Sequence, residues 1–383
     1  MTNTEKSPRR GFGTLLRVVV GLLLWLGLIL LWIYFRLEHT VPLATVRLLS
    51  DGLSLSQLPP APLLTAAILI AAAVWLLLRI DRFYARECRV SVMLRLGKRT
   101  LRLPLRALAL PLALLCLLGV GALTARTVRM NLRAERRVEA VRHFVTEERD
   151  IVHAGGNIEL DGVVHSYTNS REALKNAWAH GNRLIEVDFL RTKDGDYVCA
   201  HNGESGVWAR GIVGTSSLTR SEFLAQKFDG CLTTMDLNAL IAFMRQHEGL
   251  YVVTDCKNDN VQFCADLYAR APDLVDRFII QAYHAAECIE IRALGLPLVI
   301  YTLYLTTPQE RSTEALQQLT GEIDLVGITF WGTAAVKNKA LMADLRSTGL
   351  PLMVHTVNSR EEMETVYAPL GISGFYTDLL KGE

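Results

Sequence analysis

From residue 150 to residue 376, short apolar runs alternate with amphipathic stretches at a spacing that leaves few architectures open. The apolar runs are 150–153, 184–190, 197–201, 251–255, 278–281, 298–303, 324–328, 352–355 and 374–376. Between them, helical periodicity covers 170–180, 236–247, 261–269, 285–294, 307–319, 334–347 and 360–370. Ser170 and Asp236 stand where helix N-caps are expected. Strand–helix alternation of this kind predicts a parallel sheet, and about eight units over residues 148–383 predict a closed (β/α)8 TIM barrel. An open doubly wound sheet is the alternative, but it would normally bring a Gly-rich phosphate loop, which this sequence lacks.

The preceding residues are of another kind. Residues 1–146 hold 21 Lys+Arg against 7 Asp+Glu, so the formal net charge of +2 for the whole chain conceals a basic first part and an acidic second part. The first part also carries uncharged apolar runs at 18–35, 63–78 and 107–125. A bilayer-spanning helix needs about 20 such residues, so three transmembrane helices are expected at about 15–35, 62–79 and 106–125. Trp25, Trp32, Tyr34 and Trp75 lie near segment ends, where amphipathic aromatics favour the membrane interface. A signal peptide is the alternative for the first run, but Arg36-Leu37-Glu38-His39 follows it instead of a small-residue cleavage motif.

The basic start and the very basic loop from Arg79 to Arg106 read as cytoplasmic. Three crossings then put the second part outside. The expected division is a transmembrane region over 1–126, a basic linker over 127–147 and a barrel over 148–383. The linker reads as a helix whose arginines, Arg142 among them, lie near lipid phosphates. Of the seven cysteines none falls in a CxxC pair, so neither a zinc site nor a disulfide framework is expected.

Side-chain alternation picks out the chemistry. Residues i and i+2 of a strand share a face, so Glu186 and Asp188 point together, away from Ile185, Val187 and Phe189. Asp255 and Lys257 point inward on another run, with Cys256 in the packing layer. Glu186, Asp188 and Asp255 make an all-oxygen cluster. Converging carboxylates repel one another, and a hard divalent cation, Mg2+ or Ca2+, relieves the repulsion. His153 and His201 end apolar runs on either side of the acid pair and suit an acid/base pair, since imidazole titrates near neutrality. Lys257 suits contact with a phosphoryl oxygen, or else an ion pair with Asp255. Tyr283 and Trp331, near late strand ends, suit either a pocket wall or core packing, and His355, which also ends a strand, suits the mouth; Asn169 is expected to cap or position the first helix.

These residues fall in an ordered pattern that resembles the glycerophosphodiester phosphodiesterase family. His153-Ala154-Gly155, Asn169-Ser170, Glu186-Val187-Asp188, Thr192-Lys193-Asp194-Gly195 and His201 follow the family's early motifs. Asp255-Cys256-Lys257, Val357-Asn358 and Thr377-Asp378 follow its later ones. The chain departs from the pattern at Ala154, where the family often has Arg, at Asp255, where it has Glu, and at His355, where Trp is common.

The resemblance implies a TIM barrel that cleaves glycerophosphodiesters to sn-glycerol 3-phosphate and an alcohol. It implies Glu186, Asp188 and Asp255 as metal ligands, His153 and His201 as the acid/base pair, and Lys257 on phosphate. It implies attack by the neighbouring glycerol hydroxyl on phosphorus, followed by water opening the cyclic phosphate. With the apolar first part, the expectation is a multi-pass cell-membrane phosphodiesterase whose catalytic domain faces outward, with a phospholipid-derived substrate and no nucleic-acid partner. Two alternatives are phospholipase D- or C-like cleavage of intact lipid and a membrane sensor that binds without cleaving.

Overall fold

The computed structural model describes the backbone of residues 91–96 and 99–104, and residues 133–201 and 215–383. The spans expected at about 15–35, 62–79 and 106–125 lie outside the described residues. Among the described residues no helix is long and apolar enough to cross a membrane. The chain divides into two compact units, residues 43–140 and residues 1–42 with 141–383. In the first unit, Ser91–Leu96 and Arg99–Pro104 pair antiparallel within what the sequence reads as a basic loop. The polar–apolar alternation of Arg99–Pro104 is the signal that marks this hairpin.

The second unit contains a ring of parallel strands: β1 (Asp150–Val152), β2 (Leu184–Arg191), β3 (Tyr251–Asp255), β4 (Phe278–Ala282), β5 (Val299–Thr302), β6 (Gly327–Trp331), β7 (Leu352–His355) and β8 (Gly374–Thr377). Each pairs in parallel with the next in chain order, and β8 pairs with β1 to close the ring. The strands are rich in β-branched and aromatic residues and are buried almost throughout. This is the (β/α)8 barrel that the alternation predicts.

Close packing decides one of its seams. Met353 on β7 fills the space that the missing side chains of Gly327 and Gly374 leave on β6 and β8. A Cβ on Gly374 would lie 2.6 Å from Met353 Cγ, and one on Gly327 would lie 2.7 Å from the Pro351 carbonyl oxygen.

Three boundaries move from their expected places. The run 197–201 contributes no barrel strand; Tyr197–Cys199 folds back antiparallel on the end of β2. The run 324–328 gives β6 only from Gly327, because Arg142 engages the segment before it: its Nε donates to the Leu325 carbonyl at 2.6 Å and its guanidinium lies 3.5 Å from Asp324. The pattern 307–319 gives a helix only over Thr313–Glu322. Ahead of it, the Thr307 N–H is bonded to Glu310 at 2.8 Å, and Ser312 is the N-cap.

Ser170 and Asp236 cap α1 (Arg171–Ala179) and α2 (Leu237–Gln246), as their positions predict. Arg142 corrects another expectation. It lies on a helix of residues 133–148, but its side chain is bonded to protein rather than turned to lipid. Val141 and Val145 on the same helix are buried, and Phe144 packs on Tyr251 at the start of β3 with ring centroids 4.6 Å apart. Residues 141–148 therefore pack at the N-terminal end of the barrel, opposite the mouth that carries the acids.

Candidate active site

The parallel register brings the acids together. Asp188 is the register partner of Asp255, and Glu186 sits two residues earlier on the same face of β2. One oxygen from each of Glu186, Asp188 and Asp255 lies within 4.8 Å of the others, and all three residues are buried. Each has a dedicated protein partner. The Ala154 N–H donates to Glu186 Oε2 at 2.8 Å, with Ala154 in the left-handed region at φ 48°. The Asn169 carboxamide donates to Asp188 Oδ2 at 3.0 Å and accepts from the Asp188 N–H at 3.0 Å. Tyr283 donates its hydroxyl hydrogen to Asp255 Oδ1, and Lys257 Nζ donates to Asp255 Oδ2 at 2.7 Å.

One oxygen is left over. Asp188 Oδ1 is buried with no hydrogen-bond partner, and Lys257 Nζ stands 3.9 Å from it. Burial, then repulsion from Asp188 and Asp255, pushes the Glu186 carboxyl well above the usual carboxylate range, although the Ala154 N–H works in the other direction. A buried oxygen without a donor and an acid held against its ionised form are what a hard cation corrects. The donor set, all oxygen, fits Mg2+ or Ca2+.

Lys257 partly balances the same charge. Burial opposes its ammonium, yet Asp255 and Asp188 outweigh that and raise it above the ordinary lysine range. Its Nζ is also 3.3 Å from His201 Nε2. Burial holds the His201 imidazole below its usual pKa, with Asp188 opposing and Lys257 reinforcing the shift. His201 reaches this position by a route that the sequence does not reveal. The end of β2 rises past the barrel, the chain turns, and Tyr197–Cys199 returns antiparallel to it. The Ala200 N–H then bonds the Asp188 carbonyl at 3.1 Å, so the next residue arrives beside the acids.

His153 sits immediately after β1, and its Nδ1 is 3.0 Å from Asp378 Oδ1. A carboxylate accepts, so Nδ1 carries the hydrogen and Nε2 is left to exchange a proton in the cavity. Asn358 fixes Asp378 in turn, donating to Oδ2 at 2.7 Å and accepting from the Asp378 N–H at 2.8 Å. Tyr167 lies between the two histidines, its ring 4.4 Å from His153 and 5.4 Å from His201. Burial, then the neighbouring acids, pushes its phenol far above its usual range, so it remains protonated.

These groups open on a cavity of about 520 Å³ lined by His153, Tyr167, Glu186, His201, Asp255, Lys257, Tyr304, Trp331, His355, Asn358 and Asp378, among others. Trp331 and His355 are wall residues. Tyr283 is not; it is buried beneath the cavity as the partner of Asp255. Asn169 does not cap the first helix, a role that Ser170 takes, but instead satisfies Asp188. Tyr167, Tyr304 and the Asp378–Asn358 pair went unmarked as site residues. The late Thr-Asp and Val-Asn motifs are the only sequence signal that points to the pair.

The sequence profile of the glycerophosphoryl diester phosphodiesterase family matches residues 161–381. Solved structures resemble the chain at low identity. A glycerophosphodiester phosphodiesterase from Parabacteroides distasonis is 19% identical with a TM-score of 0.47, over 60% of this chain and 93% of that one. The enzyme from Thermotoga maritima is 17% identical with a TM-score of 0.45, over 61% and 95%. An Oleispira antarctica phosphodiesterase, solved in complex with the product sn-glycerol-3-phosphate, is 15% identical with a TM-score of 0.46, over 60% and 92%.

Proposed function

Because this chain belongs to the glycerophosphoryl diester phosphodiesterase family, and is thus a phosphoric diester hydrolase acting on glycerophosphodiesters, we propose that it releases sn-glycerol 3-phosphate and an alcohol, using His153 and His201 as its acid/base pair. The observation that carries this reading is the buried acid cluster flanked by both histidines at the mouth of one cavity. Glu186, Asp188 and Asp255 would hold a divalent cation, which when bound offsets the negative charge on the phosphoryl oxygens.

The protein's own groups do the rest. His201, neutral through burial, accepts at Nε2 the proton of the glycerol hydroxyl beside the phosphate as that oxygen bonds to phosphorus. His153, oriented through Nδ1 by Asp378, gives a proton from Nε2 to the alcohol oxygen as its bond to phosphorus breaks. The same pair in reversed roles serves the water that opens the cyclic phosphate. Lys257 donates to a phosphoryl oxygen, exchanging its contact with His201 for the substrate. Tyr167 keeps the two imidazoles apart and in orientation.

We also propose that the apolar segments of residues 1–126 anchor the chain in a membrane with the barrel outside. The charge distribution of the loops supports this orientation. Cys231 is exposed, so an impermeant maleimide should label it in intact cells, with Cys231→Ser as the control; labelling only after lysis sinks the outward orientation.

For the reaction, the full chain in detergent should release glycerol 3-phosphate from glycerophosphocholine with Mg2+ or Ca2+ and stop with EDTA. Turnover that survives EDTA removes the cation from the reading. Failure on every glycerophosphodiester removes the reading itself.

A further inference from the structure

The acids and the two histidines occupy the side of the mouth built by β1, β2 and β3. The side at the ends of β5, β6 and β7 is a wall of rings that the reaction does not use. Tyr304 stacks on Trp331 with centroids 5.3 Å apart and planes 18° apart. Tyr304 also meets His355 at 3.9 Å. Trp331 lines the cavity and remains 46% exposed.

The wall's polar ends are turned to protein. The Tyr304 hydroxyl is 2.5 Å from His355 Nδ1, and the Tyr376 hydroxyl behind it donates to Gln281 Oε1 at 2.9 Å. Burial drives the His355 imidazole down to about 3, so this ring is uncharged at neutral pH. Among the described lining residues, the one lysine or arginine is Lys257, which is committed to Asp255 on the opposite side. An anionic headgroup would find no counter-charge on this wall, and a polyol would find few donors. Tyr304 is packed between Trp331 and His355, but the half-exposed Trp331 leaves aromatic surface open to the cavity, and the negative quadrupole of such a ring attracts a cation of the alkylammonium kind.

We propose that this wall is a headgroup subsite for alkylammonium alcohols of the choline type. The proposal rests on the phosphodiester reading above. It sets the phosphate at the acids and histidines and directs the trimethylammonium end toward Trp331, which the stacked Tyr304 supports. Aromatic faces desolvate the cation without pairing it, so the subsite favours a soft, dispersed charge over a compact, strongly hydrated one.

The test compares glycerophosphocholine with its carbon isostere, the 3,3-dimethylbutyl ester, on the full chain in detergent with Mg2+. The two have nearly the same shape and differ in charge. The choline ester should be favoured in kcat/KM by roughly tenfold. Trp331→Leu and Tyr304→Leu keep apolar bulk and remove a ring; each should move that ratio toward one. The same pair of headgroups on a lysophospholipid identifies whether the choline arrives on a soluble diester or on a lipid, and preference on either carrier supports the subsite. Equal kcat/KM for the two esters overturns the proposal, as does a ratio that survives both substitutions. Turnover of other glycerophosphodiesters without turnover of the choline ester also overturns it while sparing the phosphodiester reading. Failure on all of them removes that reading, and the subsite with it.

Discussion

His153 Nδ1 lies 3.0 Å from Asp378 Oδ1, a contact between residues 225 positions apart that joins the first barrel strand to the segment after the last. It fixes which ring nitrogen faces the cavity. Asp378→Asn would let that residue donate to Nδ1 and turn the lone pair away from the cavity. The expected result is a fall in kcat of roughly 10²-fold or more with an unchanged thermal melt. Loss of less than a few-fold would show that His153 does not need this partner.

Asn169 should matter more to stability than a loop residue normally does. Its carboxamide satisfies both the N–H and one carboxylate oxygen of Asp188, and its φ is 53°. Asn169→Ala leaves two buried groups unpaired in a conformation that alanine resists, and should cost about 2–4 kcal/mol in a denaturant titration. Asn169→Gly removes the conformational part, so the difference between the two variants separates the backbone from the hydrogen bonds.

The pH dependence of folding carries a contribution from His355. Burial holds its folded pKa at about 3, against about 6.5 when exposed. Between these values the unfolded chain binds a proton that the folded chain refuses. The contribution is therefore fully present above about pH 6.5 and is lost as pH falls toward 3, with a slope of at most about 1.4 kcal/mol per pH unit. His355→Phe should flatten the stability profile across that interval; an unchanged slope would mean that other groups set it.

Gly327 tests the tightest seam of the barrel. Gly327→Ala would drive its Cβ against the Pro351 carbonyl at 2.7 Å and into the Met353 side chain. Backbone cannot give way as a side-chain tip can, so a loss of about 1–3 kcal/mol is expected by chemical denaturation. Gly162 has nothing within 4 Å of its added Cβ, and its φ is 77°. Gly162→Ala thus measures the conformational penalty without a clash.

Cation binding can be read without turnover. With three buried acids and a donorless Asp188 oxygen, Mg2+ or Ca2+ at about 100 times its dissociation constant should stabilise the fold by about 2.7 kcal/mol. Glu186→Gln should greatly reduce the resulting shift in melting temperature. A shift of the same size in that variant would place the cation elsewhere.

Much of this was legible in the chain and some of it was not, for identifiable reasons. Glu186, Asp188, Asp255 and Lys257 declare themselves because a strand's period of two assigns each side chain to a face before any fold is known. Their mutual approach then follows from barrel closure. Asp378 and Asn358 could not be ranked in this way, since what matters about them is a contact across the ring. Tyr283 stands at a strand end, as a wall residue should, but sequence does not say whether a ring after the last strand residue turns up into the mouth or down beneath it. Ser170 declares itself as the cap by its position, but the bond of Asn169 to Asp188 is a contact with another strand and carries no local signal. The return of Tyr197–Cys199 along β2 was hidden because a short apolar run carries no mark of its direction.

The pairing of Asp188 with Asp255 has a consequence for how this barrel can fail. A closed ring has no edge, so register belongs to the whole circuit. Sliding β3 by one residue against β2 would turn Asp255 toward the helices and bring Cys256 inward. The slip would also have to be absorbed at every other seam, including the one that Met353 fills between two glycines. The acid cluster therefore proofreads the architecture: a chain that closes out of step separates its three carboxylates at once, and the cation-dependent stabilisation proposed for the cluster would report correct assembly as directly as readiness for catalysis.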